Sequence, residues 1–402
     1  MLAILGTSAL SSTAALIQAI ALGKFVFDLT GRELDLGLVG LAEFLPSALL
    51  VLVTGSVADR YDRRRIGALA LAGEAVCAVA LAIYAAGSPS ALWPVFIIVT
   101  GFGVARGFAA PSLRSIPAMV APEGTLSQVV AFHSASWQAA SIVGPVFGGF
   151  LYAAEPWLAF AVAAAVFCVG IVAVLSVRLR HEPEPSPDRP SVSHALEGLR
   201  FIRRTPLLLA AISLDLFAVL FGGAVALLPA IAEKRLGVGA VGLGWLRAAG
   251  GIGASLTAAV LAARPFRHKV GRWLLIAVAV FGAATVVLGV TRSYAVAFAA
   301  MFLLTSADMV SVFVRGTLVP LATPNAMRGR VLAVEAVFIG ASNELGAFES
   351  GVAAAVFGLV VAIASGGLAT LAIVGLWWVL FPSLRDVDTF DELAPVAPPT
   401  PG

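Results

Sequence analysis

Charged residues are scarce in this chain of 402 residues. Asp, Glu, Lys and Arg together make up only 12% of it, whereas hydrophobic residues make up 60%. A soluble protein needs roughly 25% charged residues to cover its surface. The composition therefore excludes an ordinary soluble protein and indicates that most of the surface faces a lipid bilayer.

Cysteine is equally scarce, and the chain lacks the usual marks of an enzyme. Cys77 and Cys168 both lie in apolar stretches, so they predict neither a disulfide framework nor a metal site. The glycine-rich segment 101–107 lies inside an apolar run with no strand before it, which argues against a dinucleotide site. We find no P-loop and no nucleophile–base pair. We therefore expect no enzyme and no cofactor. Because the basic residues sit in short loops, we also expect no nucleic-acid partner.

What the chain has in place of these features is a series of apolar runs. A membrane-spanning helix needs about 20 apolar residues, and continuous runs favour helices over alternating strands. The predicted spans are 3–27, 37–57, 67–87, 91–111, 126–152, 156–177, 206–231, 240–262, 272–290, 293–319, 330–355 and 358–381. We predict an all-α integral membrane protein with twelve transmembrane helices in two pseudo-symmetric six-helix bundles.

The basic residues of the loops predict the orientation. If the first span runs outward, 18 of the 26 Lys and Arg residues lie in cytoplasmic loops and only four in external loops. The positive-inside rule then places both termini in the cytoplasm. We expect a multi-pass protein of a bacterial plasma membrane, in contact with its lipids.

The longest loop divides the chain into domains. Residues 1–178 and 206–382 form the predicted bundles, and 179–205 form a cytoplasmic loop. Within this loop, Ser193 to Arg204 is predicted to form an amphipathic helix with Leu196, Leu199, Phe201 and Ile202 toward the membrane. The tail 383–402 is acidic and then rich in proline, and we expect it to be disordered.

The two halves resemble each other weakly. A shift of 202 positions aligns Pro122 with Pro324, Gly144 with Gly346 and Gly149 with Gly351, all at equivalent spans or loops. Internal repeats of this kind are typical of carriers, in which two bundles move around a site near the bilayer midplane. The repeat therefore favours transport as well as this fold.

The loop after the second span reads GSVADRYDRRR and resembles the loop signature of the major facilitator superfamily. The resemblance implies a conformational latch, in which an acid and basic residues stabilise one state of the carrier. The positions that match are Gly55, Asp59, Arg60 and Arg64. A plain positive-inside loop would explain the arginines but not Gly55 or Asp59 at this spacing.

The fifth span contains a motif that resembles the signature of exporters in this superfamily. It consists of Gly144, Pro145, Gly148 and Gly149 in the sequence GPVFGG. Proline bends a helix and glycine permits close helix packing. Segments 41–46, 213–229 and 323–351 resemble the enterobactin-exporter-like branch, which includes siderophore exporters and macrolide-efflux-like proteins. The resemblance implies a monomer that exports a small amphipathic molecule, drug-like or a siderophore, in exchange for protons.

Several charged residues lie inside the predicted spans. An ionised side chain at the bilayer centre costs about 2.5–3.5 kcal/mol even on the most lenient scale, so such residues mark cavities or partners. The candidates for proton coupling or for the substrate cavity are Glu43, Arg106, Asp215, Arg247, Asp308, Arg315 and Glu344. Asp215 and Asp308 are the first choices. Glu349 lies near the outer boundary and is a weaker candidate.

The repeat suggests how these charges are partnered. The 202 shift relates Arg106 to Asp308 and His133 to Glu335, so each half supplies the opposite sign at an equivalent position. We expect some of them to pair across a central cavity and to loosen on protonation. The alternative is static ion pairs within each bundle.

Aromatic residues divide into two expected groups. We expect Trp137, Trp245, Phe217 and Phe221 to line an apolar cavity. The residues expected near lipid or the interface are Trp93, Trp157, Trp273, Trp377 and Trp378.

The leading functional hypothesis is thus a secondary active exporter that uses alternating access and proton antiport, with a small-molecule substrate and the proton gradient as its energy source. Two alternatives remain at the level of the sequence. One is a proton-coupled importer of the same fold. The other is a membrane receptor or scaffold that does not transport.

Overall fold

The computed structural model describes residues 2–50, 54, 57, 61–87, 89–120, 125–177 and 192–393. Helices account for nearly all of this part of the chain. They are α1 (Leu2–Thr30), α2 (Glu33–Leu49), α3 (Arg63–Ala86), α4 (Trp93–Val120), α5 (Leu126–Ala154), α6 (Pro156–Leu175), α7 (Val192–Arg204), α8 (Pro206–Phe221), α9 (Gly239–Ala263), α10 (Val270–Val290), α11 (Tyr294–Ala322), α12 (Asn325–Phe357), α13 (Leu359–Leu380) and α14 (Pro382–Arg385).

The twelve predicted spans each coincide with one of these helices, so the all-α membrane fold is confirmed. Within the described residues, ten segments are long and apolar enough to cross a membrane. The second and fifth predicted spans correspond to α2 and α5, which lie next to residues outside the described part. The count of twelve is consistent with this arrangement.

The seventh predicted span is interrupted. Helix α8 ends at Phe221, and the chain continues through a 3₁₀ turn (Gly223–Leu227), a single α-helical turn (Leu228–Ala230) and a π-helical turn (Ile231–Leu236). The break falls at the pair Gly222 and Gly223, a common position for kinks. Gly223 lies against the backbone of α12, where a methyl group would sit 2.3 Å from the Gly346 carbonyl oxygen.

The contacts within the chain divide it into two compact units. Unit 1 comprises Met1–Pro190 together with Leu228–Gly251, and unit 2 comprises Ser191–Leu227 together with Ile252–Gly402. The predicted division at the long loop therefore differs from the observed packing at one segment. The segment Leu228–Gly251, which belongs to the second half of the sequence, packs with the first half.

In unit 1 the main helix pairs are α1 with α5, α1 with α6, α3 with α4, α3 with α6, and α2 with α4. Fully buried Phe160 and Phe167 fill the space beside α6, and Phe25 of α1 meets Phe160 edge-to-face at 5.8 Å between ring centres. Edge-to-face geometry places the positive ring edge on the negative ring face and adds to the apolar burial.

In unit 2 the equivalent pairs recur. Helix α8 packs on α12 as α1 packs on α5, and α10 packs on α13 as α3 packs on α6. A buried cluster that includes Leu208, Leu214, Leu274 and Leu318 forms the core between them. The weak repeat in the sequence is thus a repeat of helix packing.

The amphipathic helix predicted in the long loop is present as α7, but its apolar side faces protein. Phe201 and Ile202 are buried in the core of unit 2, whereas Leu196 is half exposed. Gly198 allows α7 to lie directly on α12, because a methyl group there would sit 2.7 Å from the Arg330 carbonyl oxygen. The expectation that Phe201 and Ile202 face the membrane is therefore wrong.

The first part of the tail is also structured, contrary to the expectation of disorder from residue 383 onward. Residues 382–385 form α14, and Val387, Phe390 and Leu393 pack against the core of unit 2. The backbone of Val387 and Asp388 accepts hydrogen bonds from Gly271 and Val270 at the start of α10. Three apolar residues at a spacing of three outweigh the acidic composition. Residues 394–402 lie outside the described part.

Candidate functional site

Of the four latch residues, Gly55, Asp59 and Arg60 lie outside the described residues, and Arg64 lies within them. Arg64 stands in the first turn of α3. Its guanidinium donates to Asp62 at 2.8 Å and to the Val177 carbonyl oxygen at 2.9 Å, just beyond the end of α6. Asp62 also caps α3 by accepting the backbone N–H of Arg64.

These contacts within the first half tie the loop to two helices. Arg64 also holds the pKa of Asp62 below its ordinary value, through the side-chain hydrogen bond and the positive charge. The described arginine of the motif is thus engaged locally, and its role as a conformational latch remains a prediction.

The glycines of the exporter motif all lie at close helix contacts in unit 1. Gly144 and Gly148 face α1, where added methyl groups would sit 2.7 Å from Leu16 Cβ and 3.0 Å from the Ile17 carbonyl oxygen. Gly149 faces the first turns of α9, where a methyl group would sit 2.5 Å from the Ala240 carbonyl oxygen. The motif therefore serves as a packing surface on two sides of α5, with Pro145 inside the helix.

Helix α9 matches this surface with glycines of its own. Gly244 lies against Pro145, and Gly251 lies against Ser141, in both cases too close for a methyl group. Small residues at four- to seven-residue spacing let two membrane helices approach each other along their backbones. Glycines on α5 and on α9 thus bring the two helices together, whereas sequence reasoning recognised only those on α5.

Three ionisable residues meet in the first half, and we call them the Arg106 cluster: Glu43, Glu74 and Arg106. The Arg106 Nε lies 3.9 Å from Glu43 Oε1, and both side chains are about a third exposed or more. Arg106 also lies over the Phe102 ring, 5.9 Å from its centre. Glu74 is buried on α3 within electrostatic range of both Arg106 and Glu43.

Four ionisable residues meet in unit 2, and we call them the Arg315 cluster: Asp215, Asp308, Arg315 and Glu335. The Arg315 guanidinium lies 2.7 Å from Asp215 Oδ1 and 3.7 Å from Glu335 Oε1, with every one of these side chains less than 10% exposed. Its Nε also donates to the Ser311 hydroxyl at 3.2 Å. Arg315 is thus held by α8, by α12 and by its own helix.

Asp308 completes the cluster one to two turns along α11 from Arg315. It lines a cavity of about 10 Å³ together with Asp215, Ser311, Val278 and Phe281. This volume is close to the room that one water molecule needs. Asp308 lies within electrostatic range of both Asp215 and Arg315. The two residues ranked first in the sequence analysis, Asp215 and Asp308, therefore line one cavity.

The remaining candidates lie elsewhere. Arg247 is half buried on the part of α9 that belongs to unit 1, and Glu344 is half buried on α12, and each takes part in a polar or electrostatic interaction. Arg315 and Arg106 find acidic partners within their own halves of the chain. For these two arginines this matches the alternative of ion pairs within each bundle, and pairing of some charges across a central cavity remains a prediction.

Sequence reasoning also missed a second ionic group in unit 1. Buried Lys24 of α1 binds Asp28 one turn away and Glu233 at 3.1 Å. The Tyr152 hydroxyl donates to Asp28 at 2.8 Å. A lysine inside a predicted span with an acid four residues later was the available signal.

The aromatic residues differ in exposure, and the proposed lining of a cavity by the first group remains a prediction. Trp137 and Trp245 are each almost half exposed. Trp377, however, is buried, donates its indole N–H to the Ala210 carbonyl oxygen at 3.1 Å and meets Phe217 edge-to-face. Its assignment to the lipid or interface group is wrong, because α13 turns this residue toward α8.

Comparisons with known proteins agree with this geometry. The family model described as Major Facilitator Superfamily matches residues 2–347. The multidrug efflux pump Tap of Mycolicibacterium fortuitum is 27% identical over 392 residues, covering 92% of this chain and 93% of Tap. The enterobactin exporter EntS of Escherichia coli O1:K1 is 27% identical over 287 residues, covering 70% of this chain and 67% of EntS.

The fold is also that of solved transporters. A crystal structure of a D-xylose-proton symporter covers 96% of this chain and 98% of its own, with a TM-score of 0.70 at 16% identity. At this identity the likeness concerns the fold alone. Family, fold and apolar helices together describe a multi-pass membrane transporter and not an enzyme, and the chain belongs to the Major Facilitator Superfamily.

Proposed function

We propose that this transporter exports a small amphipathic molecule, drug-like or a siderophore, in exchange for protons. The relatives Tap and EntS, named as a multidrug efflux pump and an enterobactin exporter, support the direction and the class of cargo. We place the protein in a bacterial plasma membrane with both termini in the cytoplasm, as the basic loops predict, and we propose that it acts as a monomer.

One observation carries the proton coupling: the Arg315 cluster contains three carboxylates and a single guanidinium. With every group ionised, the negative charges would exceed the positive charge by two in a nearly dry site. Unpaired buried charges cost several kcal/mol each. A bound proton removes one such charge at little cost, so the cluster favours a protonated carboxyl group in its closed form.

Asp308 is the proposed proton carrier. Asp215 and Glu335 both lie within 4 Å of Arg315, which balances part of their charge, whereas Asp308 reaches the small cavity it lines with Asp215. In an antiport cycle the proton enters this cavity from outside and leaves toward the cytoplasm when the cluster opens. One charge moved through 100 mV gains about 2.3 kcal/mol, enough to concentrate a cargo more than tenfold.

The test uses everted membrane vesicles that contain the full-length protein. Tetraphenylphosphonium, erythromycin and enterobactin serve as probes, and a fluorescent pH dye reports proton release when a probe is added to energised vesicles. The variants are Asp308→Asn, Asp215→Asn, Glu335→Gln, Glu43→Gln and Glu344→Gln. We expect Asp308→Asn to reduce probe-dependent proton release at least tenfold. Counterflow of the probe should persist, because it needs no net proton movement.

The outcomes separate the possible functions. Wild-type proton release and pH dependence in all five variants would refute the proposed coupling. Uptake of a probe in the opposite direction would identify a proton-coupled importer instead. Absence of any probe-dependent proton flux for the wild-type protein, in a preparation that is folded and inserted, would favour a receptor or scaffold.

A further inference from the structure

A second, larger cavity lies in unit 2. Its volume is about 200 Å³, and α9, α10 and α11 each contribute to its walls. We call it the α10 groove and define it by Thr257, Phe266, Trp273, Ile276, Val280 and Leu303, with further residues of α11 behind them. Its volume is below the roughly 300–1,000 Å³ typical of pockets for drug-sized ligands.

The groove is elongated along the helices. One face of α10 contributes Trp273, Ile276 and Val280 to the groove. One face of α11 contributes Leu303 and Val310. At 1.5 Å per residue, the stretch from Trp273 to Val280 covers about 10 Å along α10, starting one turn from its first residue. The hydrocarbon core of one leaflet is about 15 Å deep. The groove therefore has the direction and length of part of an acyl chain.

The walls of the groove are apolar and open. Ile276, Val280 and Leu303 keep 44%, 39% and 49% of their surface exposed on this membrane-spanning unit. Phe266 and Trp273 stack with their ring centres 5.1 Å apart at the loop end of the groove. Aromatic rings of this kind are typical of the interface between headgroups and hydrocarbon.

The rim next to Phe266 is basic. Arg264 and Arg267 flank this residue in sequence and are both exposed, and Arg272 follows in the first turn of α10. Two acids of the tail near this loop already have partners. Asp388 binds His268 at 2.8 Å and the backbone of Lys269 at 3.0 Å, and Asp386 pairs with Arg385. Arg264 and Arg267 thus place two exposed positive charges within two residues of Phe266, which lines the groove.

We infer that the α10 groove binds an anionic phospholipid of the cytoplasmic leaflet, with its phosphate at Arg264 and Arg267 and one acyl chain along Trp273, Ile276 and Val280. Basic pockets between helices on the cytoplasmic side bind anionic headgroups, and the loop 264–269 is cytoplasmic by the positive-inside rule. The charge complementarity distinguishes this occupant from a neutral lipid.

The bound lipid would also stand next to the Arg315 cluster. Ala307 lines both the α10 groove and the small cavity of Asp308, so a lipid chain in the groove would contact a residue that also borders the acids. Occupancy of the groove would therefore support the packing of α10 against α11 at the level of Asp308. The binding itself does not depend on the proposed proton antiport.

The test measures lipid binding to the purified full-length protein by native mass spectrometry. The probes are phosphatidylglycerol and phosphatidylcholine with identical palmitoyl and oleoyl chains. We expect wild-type protein to prefer phosphatidylglycerol in its tightest binding event. The double variant Arg264→Gln and Arg267→Gln should bind phosphatidylglycerol roughly 30-fold more weakly, which corresponds to about 1 kcal/mol for each arginine. Its binding of phosphatidylcholine should not change.

Two matched controls localise the effect. Arg203→Gln with Arg204→Gln removes an equally exposed pair from α7 and should leave the preference intact. Thr257→Phe fills the groove and should weaken both lipids at least tenfold, whereas Leu256→Phe, on the same helix but outside the groove, should not. Size-exclusion profiles and thermal unfolding verify that each variant is folded.

A photoactivatable acyl chain on phosphatidylglycerol gives a readout at residue level. We expect labelling of 273–280 and 303–310, which unlabelled phosphatidylglycerol suppresses. The inference is overturned if labelling falls elsewhere, if both arginine pairs weaken binding equally, or if phosphatidylcholine competes as well as phosphatidylglycerol. Displacement by tetraphenylphosphonium but not by phosphatidylglycerol would also overturn it and assign the groove to a cargo molecule.

Discussion

The two halves of the chain place an arginine on equivalent helices and surround it differently. In the Arg106 cluster the ion pair with Glu43 spans 3.9 Å, and both partners are about a third exposed or more. In the Arg315 cluster the pair with Asp215 spans 2.7 Å and both partners are almost fully buried. The second half has therefore enclosed its charges, and the first half has left its main pair accessible.

Because of this difference, the loss of one partner should destabilise the Arg315 cluster more than the Arg106 cluster. An ion pair at nearly 4 Å gains less Coulomb energy than one at 2.7 Å. A buried pair depends on its partner, because the lost hydration of each charge is offset only by the other charge and by hydrogen bonds. The Arg315 cluster is thus the place where a change of protonation alters the packing of several helices.

The largest expected effect comes from neutralising each arginine. Arg315→Gln leaves Asp215 and Glu335 without their cation, and we expect a loss of about 3–5 kcal/mol in the free energy of unfolding. Arg106→Gln should cost less than Arg315→Gln, because its pair with Glu43 is longer and less enclosed. Unfolding in detergent, by heat or by titration with dodecyl sulfate, measures both. Equal losses would remove the distinction between the two clusters.

A medium effect is expected at the equivalent glycines of α5 and α12. At Gly346 a methyl group would sit 2.7 and 2.8 Å from the carbonyl oxygens of Val219 and Leu220, whereas at Gly144 it would meet Leu16 Cβ at 2.7 Å. Overpacking of this kind costs about 1–3 kcal/mol. In the same unfolding assay, we expect the loss of stability to lie at the upper end of this range for Gly346→Ala and at the lower end for Gly144→Ala.

The control for this pair is Gly375→Ala on α13. No other atom lies within 4 Å of the added methyl group, apart from the helix's own turns. Alanine is also the better helix former, so stability should stay unchanged or rise slightly. A loss at Gly375 as large as that at Gly346 would show that helix flexibility, and not close packing, explains the glycines.

The smallest effect concerns the caps of the equivalent helices α3 and α10. Asp62 caps α3 from the adjacent residue, whereas α10 relies on Asp388 of the tail, whose carboxylate accepts the backbone N–H of Lys269. Asp62→Ala should cost about 1 kcal/mol. Asp388→Ala should cost less, because its site is exposed.

The cap at Asp62 also predicts a dependence on pH. Since Arg64 lowers the pKa of Asp62 in the folded state, its stabilisation is complete above the ordinary pKa of an aspartate and disappears as the pH falls through the lowered value. Unfolding curves between pH 6 and pH 3 should therefore fall more steeply for the wild-type protein than for Asp62→Asn, which keeps a capping oxygen. Parallel unfolding curves for the two proteins would contradict the lowered pKa of Asp62 in the folded state.

The positions of the helices could be predicted because the length of an apolar run is a direct physical requirement of the bilayer. Helix α10 was expected at 272–290 and runs from Val270 to Val290. The interruption after Phe221 was missed, since the hydropathy continues across it. The tail was missed because Val387, Phe390 and Leu393 are a weak apolar signal among acids.

The charged residues could be identified but not partnered from the sequence. Asp215, Asp308 and Arg315 are conspicuous in apolar runs, yet their common site depends on the rotation of α8 and α11. Uniformly apolar helices carry almost no periodic signal for that rotation. Glu74 is equally conspicuous in the third predicted span but was not singled out. The pairing of Arg106 with Glu43 required the contact between α2 and α4.

The enclosure of Arg315 has a consequence for the divergence of related chains. Because one guanidinium serves acids on two other helices, its loss cannot be offset by a change at any single neighbour, while each acid alone can be exchanged for its amide. Among descendants of this sequence, Arg315 should persist or vanish together with Asp215 and Glu335. Arg106, whose pair with Glu43 is longer and less enclosed, should be replaced more often.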